Sequence, residues 1–71
     1  GEMPGEHEDD RLAALTPRER EVAALARRGF TNKEIARRLR LSVRTVENHM
    51  GAVMHKLGLS RRTGLQRWPL L

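Results

Sequence analysis

Three helix-start signals crowd into the stretch from Thr16 to Ser42, and they leave room only for short helices joined by tight turns. Thr16-Pro17-Arg18-Glu19 has the pattern of a capping box. In such a box the threonine hydroxyl satisfies an orphan backbone N–H, and the glutamate three residues on reaches back to the cap. Pro17 is pre-set for the first helical position. Thr31-Asn32-Lys33-Glu34 repeats the pattern, and Ser42 is a third cap residue. Val22, Leu25 and Ala26 predict a helix over 17–28, with Gly29 as its left-handed stop. Ile35, Ala36 and Leu39 predict a second over 32–39. Val46, Met50, Val53 and Leu57 form one apolar face of a longer helix over 42–57, ended by Gly58. Ser60 caps a last short helix over 61–68, with Leu65 and Trp68 inward and Pro69 beyond it. The fold class is therefore all-α, with four helices.

Order is expected from about Leu12. The acidic opening GEMPGEHEDD has no apolar period, so residues 1–11 read as a disordered linker or tag remnant and residues 12–71 as the domain. His7 reads as a solvated tail residue, not a ligand. A 71-residue chain builds one small domain, with little room for an enclosed catalytic cavity. It has no cysteine, so the core must rest on packed aliphatic side chains. The absence of a long apolar run or a signal pattern predicts a cytoplasmic protein that does not enter a membrane.

Charge narrows the partner. All fourteen Lys and Arg lie in residues 11–71 against four glutamates, a net of +10, while residues 1–10 carry five acids. Such an excess calls for a polyanion or a membrane surface. One Phe, one Trp and no Tyr are too few for membrane docking or for stacking on single-stranded bases, which favours a duplex.

A short helix, a tight turn and a longer helix with a polar outward face make a helix-turn-helix. Residues 32–39 then brace the recognition helix, about 43–57, in a major groove about 12 Å wide. Ala36 suits the close crossing of the two helices, and Leu41 should pack inward. At 100° per residue, Arg44, Asn48, Gly51 and His55 fall opposite the apolar face. Asn48 can pair bidentately with adenine, and Arg44 suits a guanine edge or a phosphate. Glu47 suits the amino group of cytosine or the positive end of the helix dipole. Gly51 costs the helix about 1 kcal/mol relative to alanine; it either allows close approach to DNA or reduces readout there. Lys33 lies where helix two begins, a position that favours a phosphate. His49 belongs at the helix flank, bonding locally or to a phosphate.

The segment LTPREREVAALARRGFTNKEIARRLRLSVRTVENHMGAVMHKLGLSRR resembles the LuxR-type helix-turn-helix, the output domain of many bacterial transcription regulators. Its landmarks are Leu15 to Glu21, Gly29, Asn32 to Ala36, Leu41-Ser42, Thr45-Val46, His49 and Lys56 to Gly58. The resemblance covers about residues 12–68. It implies a four-helix, sequence-specific DNA-binding domain that dimerises weakly through its last helix on an inverted repeat. An upstream receiver, ligand-binding or ATPase domain and RNA polymerase are implied as further partners. The implied base contacts are Arg44, Glu47, Asn48 and Gly51; the implied phosphate contacts are Lys33, Arg44, Thr45, His49, His55, Lys56, Arg61 and Arg62. Thr63, Gln66 and Arg67 form the expected dimer surface. Glu47 and Gly51 depart from the commoner Lys or Arg and larger polar residue, which bears on the target sequence.

No enzyme is expected. Glu19 and Glu21, two apart, point away from each other, and His49 and His55 lack the i, i+4 spacing of a helical zinc pair. Neither metal nor cofactor is implied. Two rival readings are the promoter-reading fourth region of a sigma factor and a basic protein-interaction module.

Overall fold

The computed structural model describes residues 6–69 and 71. Four α-helices follow one another: α1 over Glu6–Ala13, α2 over Pro17–Arg27, α3 over Asn32–Leu39 and α4 over Val43–Leu57. A 3-10 helix over Arg62–Arg67 closes the chain. The starts of α2, α3 and α4 are where their cap residues put them. Thr16 and Thr31 each complete a full capping box with Glu19 and Glu34. The Ser42 hydroxyl oxygen accepts the Thr45 N–H at 3.0 Å.

Helix α4 is the centre of the packing. Its buried stripe of Val46, Met50, Val53 and Leu57 matches the spacing read from the sequence. Helices α1, α2 and α3 all pack against it. Val22, Ala23 and Ala26 come from α2, Ile35 and Ala36 from α3, and Leu65 and Trp68 from the C-terminal segment. Val22, Ile35, Val46, Val53, Leu57 and Leu65 are almost wholly sequestered, each a gain of roughly 1.5–3 kcal/mol over exposure. Among the described residues, no element covers the opposite side of α4.

Two elements differ from expectation. Residues 6–11, expected as disordered linker, belong to α1. Composition argued for disorder, but four acids occupy the first five positions of this helix and Arg11 its last turn, the order a helix dipole favours. Leu12 and Leu15 are buried in the core. The Arg11 guanidinium donates to the Leu57 carbonyl at 3.1 Å, and Arg20 donates to the Leu12 carbonyl at 2.7 Å. The last helix, expected as an α-helix over 61–68, is instead a six-residue 3-10 helix. Gly64 lies so close to Leu59 that a side-chain carbon there would come within 2.7 Å of its methyl group. Leu65 and Trp68 still point inward as expected.

Among the described residues, the α3–α4 turn carries the one left-handed backbone conformation at a residue other than glycine. Arg40 ends α3 in the left-handed region, at φ 59° and ψ 46°. Its N–H and that of Leu41 both turn back to the Ala36 carbonyl. This reversal folds Leu41 toward the core, where it is half-buried. A left-handed arginine costs roughly 1–2 kcal/mol. Part of that is returned on substitution by glycine, since glycine adds freedom to the unfolded chain. Arg40→Gly should therefore stabilise the domain by about 1 kcal/mol, read as a higher urea midpoint at unchanged slope.

Candidate nucleic-acid interface

The uncovered side of α4 presents Val43, Arg44, Glu47, Asn48, Gly51 and His55, all exposed. They occupy one arc of the helix because its other arc is spent on the core. Thr45 and His49 are half-buried at the flanks. Among the described residues, the side chains of Arg44, Glu47, Asn48, His49 and His55 have no hydrogen-bond or ion-pair partner. Asn48 thus keeps an acceptor and two donors free for a planar ligand edge. Thr45 is partly engaged, since its hydroxyl oxygen accepts from Ser42 at 2.9 Å. Lys33 stands exposed at the second position of α3, and Arg61 is exposed just before the 3-10 helix.

Three expected contact residues are committed inside the molecule. Lys56 places its ammonium 2.7 Å from Glu19 Oε1, with the lysine side chain 31% and the glutamate side chain 10% exposed. Arg62 reaches back to the start of α3, donating to Asn32 Oδ1 and to the Phe30 carbonyl, each at 2.6 Å. Gln66, expected on a dimer surface, donates to the Arg27 carbonyl at 2.6 Å. A phosphate role for Lys56 or Arg62 has to compete with these bonds. Thr63 and Arg67 are exposed.

Other cations were not singled out by the sequence pattern. Arg40 stands exposed in the turn before Ser42, while Arg37 and Arg38 lie exposed on α3. Arg28 and Arg38 approach the Phe30 ring at 5.4 and 4.2 Å from its centre, close enough for cation–π attraction. The run of arginines signals charge, but periodicity does not tell which of them stack on an aromatic ring.

The family model for the luxR family of bacterial regulatory proteins matches residues 13–68. The chain belongs to that family. As a luxR-family domain it carries a DNA-binding helix-turn-helix, with α3 as the brace and α4 as the recognition helix; the match favours this over a sigma-factor region. Among similar proteins, the tetrathionate response regulatory protein of Salmonella typhimurium is 54% identical over 43 residues, covering 61% of this chain and 21% of that protein. The DNA-binding transcriptional activator DevR/DosR of Mycobacterium tuberculosis is 44% identical over 54 residues, 76% of this chain and 25% of the relative. The oxygen regulatory protein NreC of Staphylococcus aureus is 43% identical over 61 residues, 86% and 28% respectively. The chain thus spans about a quarter of the length of these relatives. No solved structure matches.

The Glu19 carboxylate ties the recognition helix to its support. It accepts the Thr16 N–H at 2.9 Å at the start of α2 and the Lys56 ammonium from the last turn of α4. The bond from Lys56, followed by that from Thr16, holds its carboxyl below the ordinary 4.5. The Thr31 backbone N–H does the same for exposed Glu34. A carboxyl whose pKa is lowered by folding stabilises the folded state above its unfolded value, and that stability is lost as pH falls through the folded value. Glu19→Ala should cost about 2 kcal/mol at neutral pH. In urea titrations its deficit against the parent protein should shrink as pH falls below about 4.5.

Proposed function

We propose that this luxR-family domain binds double-stranded DNA in a sequence-specific manner as the C-terminal output domain of a transcription regulator, laying α4 in the major groove. One observation carries the assignment of roles. Among the described residues, the polar groups of α4's uncovered face are unpartnered, whereas Lys56 and Arg62 are engaged within the molecule. Asn48 reads a base edge, supported by Glu47, Arg44 and the bare backbone at Gly51. Lys33, Arg44, Thr45, His49, His55 and Arg61 hold the phosphates, with Lys56 and Arg62 as secondary contributors.

Two copies sit on an inverted repeat, each reading one half. Thr63 and Arg67 are the surface through which they meet. A six-residue 3-10 helix offers a small, polar patch, far from the roughly 1,200 Å² of a stable interface, so the pair forms on DNA. The domain proper begins near Leu12, α1 leads to a regulatory domain upstream, and RNA polymerase is a further partner. The domain acts by binding rather than catalysis, without cofactor or metal, in the cytoplasm where its DNA is.

Binding to a duplex selected from a random pool tests this. Log affinity should fall by about 0.9 per phosphate contact for each tenfold rise in salt. Asn48→Ala should lose about 1–3 kcal/mol on that duplex and relax preference at one base pair, while Lys33→Ala weakens all sequences alike. Salt-independent affinity, or an unchanged motif for Asn48→Ala, contradicts the assignment.

A further inference from the structure

Gly51 is a cost without a reason inside the protein. It lies in the middle of α4, where glycine is less favourable than alanine. Among the described glycines only Gly29 and Gly58 have positive φ, so Gly51 needs no conformation that another residue is denied. Nor does packing require it. Among the described residues, a side-chain carbon there would meet nothing within 4 Å beyond its two chain neighbours and the backbone of its own helix. The neighbouring turns carry Glu47 on one side and His55 on the other, both exposed. The missing side chain is therefore a notch in the uncovered face of α4, floored by Cα and by backbone already bonded within the helix. A donor or acceptor on a ligand gains nothing there. An apolar protrusion fits.

The major groove offers one apolar protrusion, the C5-methyl group of thymine. We propose that Gly51 is a specificity-determining position at which the α4 backbone itself packs against a thymine methyl, allowing the helix to lie close enough for Asn48 and Glu47 to reach base edges. The inference rests on the DNA-binding reading and deepens it. It makes Gly51 a contact made by the absence of a side chain, and it requires the preferred half-site to hold a thymine opposite that point.

The test pairs Gly51→Ala with a scan replacing each thymine of the selected duplex by deoxyuridine, which removes only the methyl. In thermal melting the variant should be more stable than the parent by about 4–8 °C. On the selected duplex it should nevertheless bind about tenfold more weakly. One thymine should cost the parent about fourfold when its methyl is removed, and the variant nothing. A variant that binds as tightly as the parent overturns the inference, as does a methyl dependence equal in both proteins. A parent that selects no duplex at all overturns the DNA-binding reading beneath it.

Discussion

Burial of the stripe formed by Val46, Met50, Val53 and Leu57 governs the rest of this molecule. Three helices and the closing 3-10 segment contribute apolar side chains to the core around that stripe, and among the described residues no element covers the other side of α4. The apolar face thus dictates which side chains stay in water: Arg44, Glu47, Asn48, Gly51 and His55 are exposed because their helix neighbours are not. Fold and interface are two sides of one helix. On the proposed DNA-binding reading, a substitution that alters the stripe would act on DNA through the placement of α4, even where no stripe residue meets the ligand.

A second division runs through the cations. Arg11 closes the end of α4 on the Leu57 carbonyl, Arg20 holds the end of α1, Lys56 pairs with Glu19, and Arg62 straps the C-terminal segment to the start of α3. These are internal ties made by residues that composition alone counts as free charge. Lys33, Arg44, Arg40 and Arg61 remain exposed. The net positive charge of the domain thus overstates what is available to phosphates and understates what holds its ends together. Such ties also connect α1 to the last turn of α4, the end of the recognition helix nearest the N-terminal segment.

What was legible in the sequence was local. Thr16, Thr31 and Ser42 bond to backbone three residues away, so their caps could be read without knowing the fold. The stripe of α4 was legible for the same reason, since one helix's periodicity contains it. The helical state of residues 6–11 was not, because it depends on contacts with Leu57 and the core far along the chain. Nor did the 3-10 geometry at Arg62–Arg67 have a local signal; Gly64 there lies close against Leu59, a matter of packing. Within the interface, the exposed arc could be drawn on a helical wheel. The commitment of Lys56, Arg62 and Gln66 to partners 37, 30 and 39 residues away could not.

The central claim is that DNA meets the uncovered arc of α4 and the start of α3. Amide chemical-shift mapping of the isotope-labelled domain, titrated with its selected duplex, tests it most directly. The account predicts that the largest changes cluster at Arg44, Glu47, Asn48 and Gly51, with a second group at Thr31 to Lys33, while Ala23, Ala24 and Leu65 barely move. Changes concentrated on α1, on α2 or around the 3-10 helix, with the α4 arc unaffected, would contradict it.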